Sequence, residues 1–364
     1  MKYFFILGRN IALSIEELKS FFKKQNNSIL NIQKKDNFVL VNLEKEINNI
    51  IGNLGGVIAI GNVFAESKEI EKELEKIEIY SGTSNKLNYC LMGLSHDQKT
   101  KDIRNYLKER FKKEKLKATE KNLGGLIKLQ GGTSVKNVSS KLVTHRYFLF
   151  ENCFGKIMQT CDYEKLKQRD MEKPVRREEL SISPRLSKIM INLSEVKKQE
   201  TLIDPFCGIG VILQEALVQG ISVKGIDQDK KAIQGAEKNL KWGKFKDYKL
   251  LVGDSKKIRI SNSDVIVTEP DFGKILKRIP SPKDAEKTLK EYENLMIDVL
   301  NNLKDKISGN IVFTSPFIKI NKGRIGVDEK RILSKTRLKL KQNFPIEEFR
   351  ENQIIGRKIF VLKK

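Results

Sequence analysis

The sequence predicts an α/β fold built on a doubly wound sheet, preceded by a smaller α+β region. Two observations carry this. Residues 201–227 read as strand, glycine turn, helix, strand and acidic end: Thr201-Leu-Ile-Asp204 is a short apolar strand closed by Pro205, and Gly208 and Gly210 allow a tight reversal before a second strand ending at Asp227. Apolar strands at 250–252, 265–268, 310–317 and 353–362 then alternate with turns and a helical stretch at 284–303, which completes the sheet.

A glycine turn followed by an acid about twenty residues on forms a nucleotide-cofactor site, because Asp227 can accept hydrogen bonds from ribose hydroxyls. A nicotinamide site would share these features. The third glycine of G-x-G-x-x-G, however, falls at Leu213, so the close helix approach that a pyrophosphate exploits is missing. S-adenosylmethionine has no phosphate and does not need it. Asp204, Pro205, Phe206, Gly208, Gly210 and Asp227 are therefore the candidate cofactor-binding residues.

The 364 residues carry 70 Lys and Arg against 46 Asp and Glu, a net charge of +24 that favours a polyanionic partner such as nucleic acid. Cys90, Cys153, Cys161 and Cys207 lack C-x-x-C spacing, and His96 and His145 are the two histidines, so no metal site is expected. Unpaired cysteines without a secretion signal suit a reducing cytoplasm. The opening Met1-Lys-Tyr-Phe-Phe-Ile-Leu-Gly-Arg9 is cut short by Arg9 and reads as a buried strand; no apolar run is long enough to span a membrane.

After that strand, Ser14 is placed to cap a helix through residue 24, residues 38–43 alternate as a strand, 47–54 read as a helix and 57–64 as a strand. A charged stretch at 66–76 separates this from a strand at 87–94 and a helix at 101–113. In that helix Ile103, Leu107 and Phe111 face a core, and Lys101, Arg104 and Lys108 lie on the opposite side. Residues 135–143 read as a helix and 145–160 as a hairpin around Gly155. Residues 163–179, rich in Lys and Arg and interrupted by Pro174, read as a basic connector. Ser183-Pro184 opens a helix leading to the motif strand.

Arg169-Asp170, Lys173-Pro174, Arg176-Arg177, the run from Pro184 to Ser194 and the Asp204 motif resemble, in order and spacing, the THUMP-containing tRNA guanosine-N2 methyltransferases. The resemblance covers residues 163–272; Gly8-Arg9-Asn10 and Leu54-Gly55-Gly56 extend it more weakly to the front of the chain. It implies a ferredoxin-like domain over 1–80, a THUMP-like RNA-binding domain over 81–162, a basic linker over 163–182 and a Rossmann-like class I methyltransferase domain over 183–364. It further implies that Asp204 faces the amino-acid end of S-adenosylmethionine and Asp254 the adenine amino group. Lys101, Arg104, Lys108, Arg169, Arg176, Arg177 and Lys274 are the candidate RNA contacts. The implied protein is a monomeric cytoplasmic enzyme acting on tRNA, with room for the small activating protein partner that some relatives use.

In amino-group methyltransferases the fourth strand ends in Asp or Asn, Pro, Pro and an aromatic residue. A guanine amine is a poor nucleophile because its lone pair is delocalised, so a fixed oxygen must accept its N–H while the aromatic ring stacks on the base. Here the motif is Glu269-Pro270-Asp271-Phe272, an altered version. Glu269 is the favoured acceptor, with Pro270 rigidifying the loop, Asp271 orienting the base or water and Phe272 stacking. Lys277, Arg278, Lys283, Lys322 and Arg324, with Lys274, flank the expected pocket mouth. The expected reaction is methyl transfer to the N2 amine of a tRNA guanosine in the D-arm region. The alternatives are an enzyme acting on another amine, such as adenine N6 or a ribosomal RNA guanine, and a catalytically impaired RNA-binding relative; an NAD-linked enzyme is disfavoured by Leu213.

Overall fold

A computed structural model describes residues 1–93, 98–121, 126–128, 134–136, 142–177, 182–273 and 276–364. The chain divides into two compact units. One holds Met1–Ile11, Asn27–Gly52 and Gly56–Asp162; the other holds Ala12–Asn26, Asn53–Gly55 and Tyr163–Lys364.

As far as Asp162 the elements are β1 (Lys2–Leu7), α1 (Ile11–Lys24), β2 (Ile29–Lys35), β3 (Phe38–Leu43), β4 (Val57–Glu66), α2 (Ile70–Glu75), β5 (Lys86–Gly93), α3 (Gln98–Lys113), β6 (Lys117–Glu120), β7 (Leu126–Lys128), β8 (Ser134–Lys136), β9 (His145–Phe150) and β10 (Cys153–Thr160). Among the described residues, eight strands of the first unit form one sheet in the order β2-β3-β1-β4-β10-β9-β5-β6, and β7 pairs with β8. β5 runs parallel to β6 because α3 carries the chain back between them. Strands from 1–80 and from 81–162 thus share one sheet, joined where β4 meets β10. Ile103, Leu107 and Phe111 of α3 bury against Tyr89, Tyr147 and Phe154, while Lys101 and Lys108 stay exposed.

Local expectations fail here for identifiable reasons. Residues 47–54 hold a single 3-10 turn, Ile51–Asn53, in a stretch where Asn49 takes a left-handed φ of 41°. The helix expected at 135–143 begins instead within β8, and residues 137–141 lie outside the described residues. The hairpin turns at Glu151-Asn152, not at Gly155. Gly155 lies within β10, where an added Cβ would come within 2.0 Å of the Asn62 carbonyl and 2.6 Å of Phe148. Ser14 does not cap α1, which begins three residues earlier at Ile11; Ser14 is buried within it.

The remaining elements are α4 (Tyr163–Met171), α5 (Pro184–Leu193), β11 (Thr201–Asp204), α6 (Val211–Val218), β12 (Ser222–Asp227), α7 (Lys230–Trp242), β13 (Tyr248–Val252), β14 (Val265–Thr268), α8 (Pro282–Leu303), β15 (Ile311–Ile320), β16 (Gly323–Gly326), α9 (Glu329–Thr336), β17 (Lys339–Leu340), β18 (Ile346–Glu348) and β19 (Ile355–Lys363). The second unit's sheet runs β13-β12-β11-β14-β15-β19-β17, with β16 added to β15 and β18 to β19. β13 through β15 in that order are mutually parallel, and β19 is antiparallel. One face is covered by a core that includes α5, α6 and α7, the other by α8 and α9. Chain direction reverses its march between β11 and β14, which opens a crevice at the carboxyl ends of the strands.

Two features of this unit differ from the sequence reading. The basic connector begins as helix α4, whose Leu166 is buried and whose Arg169 pairs with Glu215 of α6. Helix α1, early in the chain, belongs to this unit. Its buried Glu17 accepts from Asn192 Nδ2 at 2.8 Å and from the Gly55 amide at 2.7 Å, and Lys24 Nζ donates to Asn192 Oδ1 at 2.8 Å. Among the described residues no helix is long and apolar enough to cross a membrane.

Candidate active site

The turn after β11 is shaped by two left-handed glycines, Gly208 at φ 51° and Gly210 at φ 85°. A Cβ on Gly208 would meet nothing within 4 Å, so the backbone there faces open space that a ligand can approach. Gly210 opens α6, and its missing Cβ would lie 3.3 Å from Ala236. The Gly208 amide donates to Asp227 Oδ2 at 2.9 Å, and the Asp229 amide donates to Asp227 Oδ1 at 2.9 Å. Each Asp227 oxygen retains a further lone pair. Asp227 therefore both fixes the turn and stays able to accept from a ligand.

Asp204 is 1% exposed. Its Oδ1 accepts from Thr268 Oγ1 at 2.5 Å and from the Phe206 amide at 3.1 Å. Burial raises its carboxyl to about 7; the two hydrogen bonds oppose this, and the charges of Asp227 and Glu269 add to it. Burial likewise pushes the Cys207 thiol well above its ordinary value, which makes it a packing group. The Pro205 carbonyl accepts from Ser255 Oγ at 2.5 Å, and Phe206 packs at the edge of the core under α8. Asp254 sits in the turn after β13. Its Oδ1 accepts from the Lys256 amide at 2.9 Å, Lys256 Nζ lies 3.8 Å from Oδ2, and its side chain is 36% exposed.

β14 delivers Glu269 to the carboxyl edge beside Asp204. Both Glu269 oxygens are engaged: Arg357 donates Nε to Oε2 at 2.6 Å and Nη2 to Oε1 at 2.8 Å, and Thr314 Oγ1 donates to Oε2 at 3.1 Å. Pro270 is buried and Asp271 exposed. Asp271 Oδ1 accepts from the Gly273 amide at 3.0 Å, where Gly273 takes a φ of 90°. Phe272 lies edge-on to Tyr292, 6.1 Å between centroids, and 5.7 Å from the Arg357 guanidinium. The Tyr292 hydroxyl donates to the Thr314 carbonyl.

Sequence reasoning did not find Thr268, Tyr292, Thr314 or Arg357. Thr268 was discoverable as the hydroxyl directly before Glu269; Arg357 comes from 88 residues away and carries no local signal.

The basic candidates separate into two kinds. Lys101 and Lys108 are exposed on α3, and Lys277, Arg278, Lys283 and Lys322 are exposed in the second unit. Arg104 is half-buried and paired with Glu120 at 2.9 Å. Arg169 is bidentate on Glu215, at 2.7 and 3.1 Å, and Glu215 is 1% exposed, so this arginine is committed to the interior. Arg177 pairs with Asp229 at 2.8 Å, and Arg176 donates to Met171 Sδ at 3.3 Å. Arg324 is also turned inward, bonding the carbonyls of Phe317, Ile354, Arg350 and Gln353. Lys274 lies outside the described residues.

Residues 174–313 match the RMKL-like methyltransferase domain family. A tRNA (guanine(10)-N2)-dimethyltransferase of Methanothermobacter thermautotrophicus is 34% identical over 137 residues, 37% of this chain and 39% of that protein. The protein of that name from Methanocaldococcus jannaschii is 29% identical over 211 residues, 54% of this chain and 56% of that one. The match thus spans roughly two fifths to a little over half of these relatives' lengths. A probable tRNA (guanine(10)-N2)-dimethyltransferase of Methanothermococcus thermolithotrophicus is 31% identical over 140 residues, 36% of this chain and 79% of that protein. TrmN from Thermus thermophilus shares the fold over 100% of both chains, with a TM-score of 0.52 at 13% identity. With a crevice at the strand-order reversal, an Asp204 turn facing it, a methyltransferase-domain match over residues 174–313 and a 31% identical relative covered to 79% of its length, the chain belongs to the tRNA guanosine-N2 methyltransferase family.

Proposed function

We propose that the protein transfers a methyl group from S-adenosylmethionine to the exocyclic N2 amine of a guanosine in the D-arm region of tRNA. One observation carries this reading: the open Gly208 turn, hydrogen-bonded to Asp227, adjoins an Asp204 that is tied through Thr268 to the Glu269–Phe272 loop. A cofactor cradle and a loop of amine-directed composition thus meet at one sheet edge.

The residues fit S-adenosylmethionine. Asp227 keeps acceptor capacity for the ribose hydroxyls, Asp254 is exposed enough to accept from the adenine amino group, and Asp204 supplies a buried carboxyl for the ammonium end. The bare Gly208 backbone leaves room for the ligand. When bound, S-adenosylmethionine supplies an electrophilic methyl on a positively charged sulfonium. The protein contributes the Asp227 carboxylate beside the buried Asp204 carboxyl, a proton-accepting oxygen in the 269–271 loop and the Phe272 ring against the base.

Residues 1–80 and 81–162 act in this reading as ferredoxin-like and THUMP-like parts that capture tRNA. Lys101 and Lys108 hold its phosphates, 163–182 act as a linker and 183–364 catalyse the transfer. The buried, unbridged cysteines suit a cytoplasmic setting, with the protein acting as a monomer or with a small activating partner. A second reading, an RNA-binding relative without activity, is favoured by the Arg357 pair that occupies both Glu269 oxygens. Labelled methyl transfer to unmodified tRNA, followed by nucleoside mass spectrometry, separates the two. N2-methylguanosine is expected, and it should vanish when inosine, which lacks the amine, replaces the target guanosine. Salt-sensitive binding without incorporation, or methyl on adenine, overturns the proposal.

A further inference from the structure

We propose that Arg357 is a positioning residue that holds Glu269 as a fixed anion, leaving Asp271 as the acceptor of the base-amine proton. This rests on the methyl-transfer reading above.

Arg357 lies on β19, in register with Pro316 of β15 and Glu348 of β18, so its backbone is fixed from both sides. Its guanidinium grips Glu269 in the two-point geometry that matches a carboxylate plane. A carboxylate offers about four acceptor positions. Arg357 fills two and Thr314 a third. The Glu269 side chain is 10% exposed and that of Arg357 22%. Protonating or turning Glu269 would strand a largely buried guanidinium without its anion. Glu269 is therefore a poor place to deliver a proton.

The guanidinium also lies 5.7 Å from the Phe272 ring, within cation–π range. Phe272 leans on Tyr292, and Tyr292 bonds the Thr314 carbonyl. Glu269, Arg357, Phe272, Tyr292 and Thr314 thus close a frame around the loop. Asp271 sits in the same loop and is exposed. The Gly273 amide fixes its Oδ1, and among the described residues nothing donates to Oδ2. As the new N–C bond forms and the methyl–sulfur bond breaks, the bonding pair stays on sulfur. The amine proton passes to Asp271 and from there to water.

The test uses the full chain with Asp271→Asn, Glu269→Gln, Arg357→Lys and the Glu269→Gln/Arg357→Lys double variant. Single-turnover transfer to unmodified tRNA, thermal unfolding and S-adenosylmethionine affinity are measured for each. Asp271→Asn should slow transfer about 100-fold or more while leaving the unfolding midpoint and cofactor affinity unchanged. Glu269→Gln and Arg357→Lys should lower both rate and midpoint, and the double variant should be no worse than the worse single one. The proposal is overturned if Glu269→Gln abolishes transfer at an unchanged midpoint while Asp271→Asn stays active, or if the two midpoint losses simply add. Absence of transfer by the wild-type protein removes the methyltransferase reading and this inference with it, whereas wild-type transfer with a fully active Asp271→Asn removes this inference alone.

Discussion

Asp204 Oδ1 accepts the Thr268 hydroxyl at 2.5 Å, joining the last residue of β11 to the last residue of β14. The Gly208 turn and the 269–272 loop start from these two positions. A shift of either strand would therefore be felt in both halves of the site.

The raised Asp204 carboxyl makes stability depend on pH. Its ordinary value is 3.8 and its folded value about 7, so between them the unfolded chain has lost a proton that the folded chain keeps. Stability is full below the lower value and falls as pH rises through 7, by at most about 4 kcal/mol for a shift of this size. Asp204→Asn keeps Oδ1 for both donors and should unfold at a higher temperature than wild type above pH 7. It should also bind S-adenosylmethionine more weakly. Calorimetry across pH checks this, and a wild-type midpoint unchanged between the two values would refute it.

Two glycines separate binding from packing. Gly208→Ala adds a methyl where nothing lies within 4 Å and imposes left-handed strain of about 1–2 kcal/mol. It should weaken cofactor binding at least about tenfold, which corresponds to about 1.4 kcal/mol. Gly225→Ala would place its Cβ 2.5 Å from Leu213 Cδ1 and 2.9 Å from Cys207 Sγ, and should cost about 1–3 kcal/mol of stability through overpacking. Titration should show the affinity loss in Gly208→Ala and not in Gly225→Ala, whereas urea unfolding should show a loss of stability in both.

Glu17 ties α1 into the methyltransferase unit. Glu17→Ala leaves the Gly55 amide and the Asn192 amide group without their acceptor, and each unmade buried bond costs about 1–3 kcal/mol. Glu17→Gln, which keeps the accepting oxygen, should lose less. A fragment starting at Tyr163 lacks α1 and should melt earlier than the full chain. An equally stable fragment would show that the helix is dispensable.

The basic residues should divide by partner. Arg169→Ala leaves buried Glu215 without its bidentate hydrogen bonds, though Lys188 stays 3.9 Å away, and should destabilise the fold by about 1–3 kcal/mol. Lys101→Ala and Lys108→Ala should leave the melting temperature unchanged, weaken tRNA binding and make its dependence on salt shallower. Filter binding at several salt concentrations, with thermal melts in parallel, distinguishes these outcomes.

Most of the sheet could be read along the chain. α3 and α8 announced themselves by apolar spacing, and α5 by Ser183, which accepts from the Leu186 amide, followed by Pro184. Failures fell where one local pattern allowed two structures. The basic run at 163–171 reads as a connector because its single buried apolar residue, Leu166, gives too weak a stripe; its helix is pinned by Arg169 reaching Glu215. Gly155 suggested a turn, yet the requirement it meets is room for Phe148 across the hairpin.

The sequence by itself determined the left-handed glycine turn and the strands on either side of it. Left-handed glycines, strand-ending aspartates and a 19-residue step from Gly208 to Asp227 are short-range requirements, written in adjacent residues. Only the tertiary structure decided which charges remain available. Arg357 reaches Glu269 across 88 residues, Arg169 reaches Glu215 across 46, and Glu17 reaches Asn192 across 175. Along a chain, charges of one sign look interchangeable. Once buried, each needs a partner at hydrogen-bond distance, and only the packed fold supplies that distance.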